Sequence, residues 1–247
     1  MPYQLGLPAA LARFGLTVET VPGWQTRGSS TFAPRGAVAH WTAGPRGTTT
    51  RPSLNVVVNG RTGLAGPLAN VYLDRKGIAV VCASGRANHA GVGGWRGLTG
   101  NSQVFGTEAE CGGDGDWTAL QRWAYPRVNA AYCWLGKFAP DMVCGHNEWA
   151  PTRKIDIRDW PMPSMRTQVA QLLAAQTQPA AQEDDDMPLT QADINAISDA
   201  VANRVIGTWP NGSTAEAWEI SRALIKTTAQ VDQLIADVAA LKAKLGA

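Results

Sequence analysis

The sequence predicts an α/β domain with a mixed central β-sheet flanked by helices, followed by a small helical, coiled-coil-like segment. Three observations carry this. Short apolar runs bounded by Gly and Pro alternate with stretches of helical period through residues 1–176. Two of the runs are separated only by Arg75-Lys76-Gly77, a tight turn that joins antiparallel neighbours, so the sheet is not purely parallel. Beyond residue 187 Gly becomes rare and apolar residues fall into heptads.

The elements follow in order. Residues 1–34 read as an irregular lead-in with a short helix over Leu7–Phe14. Gly36-Ala37-Val38-Ala39 is a buried strand that delivers His40 at its end, where a loop rich in Gly, Pro and Thr begins. Leu54–Asn59 is β-branched and reads as a strand, with Asn59-Gly60 as a hairpin turn. Asn70–Asp74 and Ile78–Cys82 are strands on either side of the Arg75–Gly77 turn. Arg86–Gly97 carries too much Gly for a regular element. Val104–Cys111 is a strand whose period of two puts Glu108 and Glu110 on one face. Trp117–Phe138 has helical period, with Pro126 placed to kink or split it, and Pro163–Gln176 is a second helix.

Composition narrows the function. The chain has 247 residues, 45% hydrophobic and 17% charged, which fits a folded protein with one sizeable domain and an appendage. A formal net charge of +2 gives no electrostatic case for nucleic acid, and no stretch has the apolar length of a membrane span. Ten Trp against four Phe and four Tyr admit core filling or stacking on sugar rings. Cys82, Cys111, Cys133 and Cys144 make no CxxC pair and read as buried free thiols. The N-terminus has no basic, apolar leader, so the expected place of synthesis is a reducing cytoplasm.

The chemistry concentrates in VCGHNEWAPTRKIDIRDW, Val143–Trp160, which places His146, Lys154 and Asp156 close together. The chain has only three His: His40, His89 and His146. Two imidazoles and a carboxylate, with one position left open, form a catalytic zinc set. Each of the three His sits in a short, distinctive context: His40 ends an apolar strand and His146 follows a Gly.

Four motifs occur in a fixed order: AVAHWTAG around His40; Asn88-His89-Ala90-Gly91 followed by Trp95, Gly97 and Asn101; Gly106-Thr107-Glu108; and Gly145-His146 through Pro151, Arg153-Lys154 and Asp156. From about Gly36 to about Trp160 this set resembles the zinc-dependent type-2 N-acetylmuramoyl-L-alanine amidases, the family of peptidoglycan recognition proteins and many phage endolysins. The resemblance implies that His40, His146 and Asp156 bind Zn2+. It also implies that Lys154 faces the scissile carbonyl, where an ammonium would stabilise an oxyanion. His89 would line the cleft and touch substrate, or else hold its loop. Trp95 is a further candidate for substrate contact. Glu108 would orient a ligand His or act as a general base, and Glu110 would mark the cleft edge. The family's Tyr-His before the strand is replaced by Ala69-Asn70, so either Lys154 works without the Tyr or Asn70 supplies a hydrogen bond to the site.

The expected activity is that of a phage-type endolysin: cleavage of the amide between N-acetylmuramic acid and L-alanine in bacterial peptidoglycan. The alternatives are a non-catalytic peptidoglycan-binding module and a zinc peptidase acting within the wall peptide. The expected location is the host cytoplasm, then the wall after release. Residues 177–187 read as an acidic linker, and 188–247 as a helical domain for oligomerisation or wall targeting. Ala217, Leu224, Val231, Val238 and Leu245 share one heptad position, and Ile220, Thr227, Leu234 and Leu241 the other. The expected partners are therefore copies of the same chain, which would raise avidity for a polymer. The codons of Gln182–Asp186 can spell a ribosome-binding sequence before Met187, so a shorter product starting at Met187 is a further expected partner.

Overall fold

The computed structural model describes residues 3–177. The acidic linker, the heptads and Met187 lie outside the described residues. Eight strands are present among the described residues: β1 (Val18–Thr20), β2 (Gly36–Trp41), β3 (Gly60–Arg61), β4 (Leu64–Ala65), β5 (Val71–Leu73), β6 (Ala79–Val81), β7 (Val104–Ala109) and β8 (Val143–Gly145). Five helices accompany them: α1 (Leu7–Arg13), α2 (Leu54–Asn59), α3 (Ala119–Gly136), α4 (His146–Trp149) and α5 (Met162–Thr177).

Six strands form one mixed sheet in the order β1-β6-β5-β7-β2-β8. Only β5 and β6 pair antiparallel, through the expected turn. Asp74 makes that turn: its Oδ1 accepts from the N–H groups of Lys76 and Ile78, both at 2.9 Å, and Gly77 takes φ +76. β2 lies between β7 and β8, parallel to both. Its Gly-Ala-Val-Ala-His-Trp run is buried throughout, as suits a parallel strand flanked on both edges.

Period-two alternation divides the sheet's faces. Ala37, Ala39, Trp41, Val71, Leu73, Phe105 and Ala109 point to one face, where α1, α3 and α5 seal the main core. Phe105 stacks on Tyr132 of α3, ring centroids 4.3 Å apart and planes 3° from parallel. Val38, His40, Tyr72 and Glu108 point to the other face. There α2 covers Tyr72 and Val80, while the loop containing Ala90 and Leu98 covers Val38 and Val104. Between these two covers the sheet stays open, and His40 and Glu108 sit side by side in register within the gap.

Helix α3 runs unbroken through Pro126 and is not split there. It begins with a capping box in which Thr118 and Gln121 satisfy each other's backbone N–H groups. Its Tyr125 reaches the sheet where β2 ends. The hydroxyl accepts from the His40 N–H at 2.8 Å and lies 2.9 and 3.0 Å from the carbonyls of His40 and Thr107. The helical layer thus fixes the backbone of His40 from behind. Trp41, Trp117, Trp149 and Trp160 are core, whereas Trp123 and Trp134 are exposed on α3, across the sheet from the gap.

Two expectations need correction. Leu54–Asn59 is α2, not a strand. A six-residue apolar run fits either period, and here Leu54, Val57 and Val58 share one helical face against Tyr72 and Val80. Gly60, at φ +81, ends that helix, and the hairpin lies just beyond it, between β3 and β4. The lead-in is also not wholly irregular beyond α1: Val18–Thr20 is an edge strand parallel to β6.

Replacing Tyr125 with Phe keeps the packing but leaves buried backbone groups of His40 and Thr107 short of a partner. The expected loss is about 1–3 kcal/mol, read as a lower urea midpoint with an unchanged slope.

Candidate metal centre and cleft

Three donors converge at the open end of β2. His40 ends the strand on the cleft face, and His146 opens α4 directly after β8. Asp156 returns to the same point because its carbonyl accepts from Asn147 N–H at 2.6 Å, while the next residue, Ile157, is buried in the main core. Arg166 of α5 grips Glu148 with two hydrogen bonds, at 2.9 and 3.1 Å, which ties α4 to the helical layer. The separations are 2.8 Å from His40 Nδ1 to His146 Nδ1, 2.9 Å from His146 Nδ1 to Asp156 Oδ2, and 3.3 Å from His40 Nδ1 to Asp156 Oδ2. All three residues are buried.

The outer nitrogens show which protons the rings carry. His146 Nε2 lies 3.0 Å from the carbonyl of Ala90, which can only accept, so Nε2 holds the proton. His40 Nε2 lies 2.9 Å from His89 Nδ1, and His89 Nε2 lies 3.2 Å from the carbonyl of Val104. That carbonyl also only accepts, so His89 donates from Nε2, accepts at Nδ1, and takes the proton of His40 Nε2. In neutral rings both inner Nδ1 atoms are therefore bare lone pairs, facing each other and a carboxylate oxygen. Three acceptors this close need a cation between them, and the set suits one. A tetrahedral zinc site places its ligand atoms about 3.3 Å apart, close to the spacing seen.

Burial sets the titration of these groups. His40 is pushed down to about 4 by burial, with the neighbouring His146 adding to the effect. His89 is pushed well below its ordinary value, by burial first and then by His40. Burial alone would raise Asp156, but its contacts with the His146 and His40 rings outweigh it and hold the carboxyl well below the usual range. Glu108 is pushed well above it by burial, then by the charge of Asp156.

The donors open into a cleft of about 660 Å³ whose lining includes Thr42, Pro52, Val57, His89, Glu108 and Lys154. Glu108 Oε2 is buried there with no hydrogen-bond partner among the described residues. Glu110, two residues on, is the opposite case. It accepts from Thr42 Oγ1, Ser53 N–H, Ser53 Oγ and the Tyr72 hydroxyl. It clamps the 42–53 loop to the sheet and so holds one wall of the cleft.

The structure therefore brings together His40, His89, Glu108, His146, Lys154 and Asp156, and separates the remaining candidates. Asn70 is fully buried, and its side chain is spent on backbone: it donates to the carbonyls of Ala83 and Gly85 and accepts from Gly106 N–H. It offers the cleft nothing. Trp95 anchors its loop instead of lining the cleft; its Nε1 donates to the Asp141 carbonyl at 2.8 Å, and Arg96 and Arg166 lie over its ring. Glu108 does not orient a ligand His, because those outer nitrogens face His89 and Ala90. Glu110 is a buried clamp, not an edge marker. The clamp escaped the sequence reading because its donors, Thr42, Ser53 and Tyr72, lie far from Glu110 in the chain and carry no motif.

A family model described as N-acetylmuramoyl-L-alanine amidase matches residues 30–163, more than half of the chain. No curated protein sequence matches. Among solved structures, the endolysin N-acetylmuramoyl-L-alanine amidase LysCS from Clostridium intestinale URNW is 17% identical, over 62% of this chain and 95% of that one, with a TM-score of 0.46. A selenomethionine derivative of AmpD is 23% identical over 62% and 93%, with a TM-score of 0.48. The amidase AmiD from E. coli, in complex with an anhydro-N-acetylmuramic acid peptide, is 21% identical over 58% and 61%, with a TM-score of 0.44.

The opposed shifts give a test on metal-free protein. His40 and His89 bind protons less readily when folded, so they remove stability as pH falls from about 6.5 toward about 4. Glu108 holds its proton more readily when folded, so it adds stability as pH falls toward 4.5. Removing that opposing group with Glu108→Gln should steepen the acid loss of stability by up to about 1.4 kcal/mol per pH unit. Urea unfolding at about pH 5 and about pH 6.5 measures it.

Proposed function

Because the chain belongs to the N-acetylmuramoyl-L-alanine amidase family, we propose that its cleft hydrolyses the amide joining N-acetylmuramic acid to L-alanine in peptidoglycan, with zinc held by His40, His146 and Asp156. Two imidazoles with a single carboxylate favour zinc over magnesium or calcium, which take oxygen donors. Zinc bound there supplies a Lewis acid that polarises the amide carbonyl and makes water a nucleophile near neutral pH.

One arrangement supports hydrolysis above all: the unpartnered Oε2 of Glu108 in the same cleft as the three donors. Burial raises that carboxyl well above its ordinary range, which favours the protonated form that a general acid needs. Glu108 takes a proton from the attacking water and passes it to the alanine nitrogen as the C–N bond breaks. Lys154 also lines the cleft, where its ammonium offsets negative charge growing on the carbonyl oxygen. The clamped 42–53 loop and α2 form a fixed wall against which a glycan–peptide junction can be oriented.

Digestion of purified bacterial wall tests the reading. Mass spectrometry should find new L-alanine amino groups and intact glycan strands; new reducing sugar ends, or cuts within the peptide, would overturn it. Glu108→Gln should keep stoichiometric zinc while kcat falls about 10²–10⁴-fold. Lys154→Ala should keep zinc and lose about 10²-fold or more in kcat. A full rate in either variant removes that residue from the mechanism.

A further inference from the structure

We propose that His89 is a positioning residue for the metal centre, holding His40 in the tautomer that presents Nδ1 to the cation. This rests on the reading of His40, His146 and Asp156 as the zinc ligands.

The geometry allows only one direction of proton donation. The chain from His40 Nε2 to His89 Nδ1, and from His89 Nε2 to the Val104 carbonyl, ends on a group that cannot donate. Each link fixes the one before it, and the last free atom is the inner nitrogen of His40. With Nδ1 and Nε2 of His89 both engaged, neither nitrogen is left to bind substrate.

The seat of the ring is built for this purpose. The His89 imidazole lies flat over Gly106 of β7; a Cβ at that position would lie 2.5–2.7 Å from three of its ring atoms. The backbone beneath it is fixed by Asn101, whose Oδ1 accepts from the N–H groups of His89 at 3.1 Å and Ala90 at 2.8 Å. The next residue completes the other ligand: the Ala90 carbonyl takes the Nε2 proton of His146, and Arg153 Nη2 reaches the same carbonyl at 3.1 Å. A single loop, Asn88–Gly91, therefore orients both imidazoles from behind, one through a side chain and one through its backbone. Partners of this kind fix ring orientation and raise ligand basicity, and their loss costs about 10–100-fold in metal affinity.

With only three His in the chain, selective ¹⁵N-histidine labelling of the full-length protein gives a spectrum that can be assigned in full. In the metal-free wild type, His40 and His89 should both appear as Nε2–H tautomers; His40 protonated at Nδ1 would overturn the proposal. Zinc affinity, measured against a chelating dye, should fall about 10–100-fold in His89→Leu. His89→Asn, whose Oδ1 takes the place of the imidazole Nδ1, should recover most of that loss. Unchanged affinity in a folded His89→Leu would also overturn the proposal. Should neither variant fold, the wild-type spectrum decides alone. A wild-type chain that binds no zinc would instead sink the underlying assignment of the ligands.

Discussion

The structure depends on holding three hydrogen-bond acceptors against one another in a buried place. Two imidazole lone pairs and a carboxylate oxygen within about 3 Å repel unless a positive charge lies among them. The surroundings are arranged to keep protons out of that centre. Each ring proton is drawn outward, toward Ala90 on one side and His89 on the other. Each ligand's backbone is also held from outside, His40 by Tyr125 and Asp156 by Asn147.

The two faces of the sheet divide the labour. One face is sealed by three helices and supplies the burial that makes the domain stable. The other is covered at its two sides and left open over β2 and β7. Glu108 and Glu110 show what that opening does. They share a strand face and differ by two positions, yet one carboxylate is surrounded by donors and the other has a buried oxygen without any. The first is spent on architecture and the second keeps an oxygen unengaged in the cleft, a separation produced by environment and not by residue type.

Much of this was legible in the chain. The order of the four motifs picked out His40, His146 and Asp156, which the fold brings together, and Lys154 and Glu108, which line the same cleft. The β5–β6 hairpin was legible from Asp74–Gly77. What was not legible lay between distant segments. Leu54–Asn59 is too short for its period to choose between helix and strand, and Tyr72 across the gap chose the helix. Asn70 looked like a group available to the cleft, but three backbone partners from separate loops absorb it. Trp95 lies in a matched motif, yet the Asp141 carbonyl draws it away from the cleft. Gly106 is informative only once the ring lying over it is known.

The placement of β2 has a consequence for synthesis. His40 and His146 are 106 positions apart, and β2 gains its second neighbour only when β8 arrives. A nascent chain ending before Gly145 has one flank of β2 unpaired and lacks two of the three donors. Such long-range parallel pairing is slow to form and comes late. The three donors are therefore assembled from both ends of the domain, and a chain that stops before Gly145 cannot form the cluster.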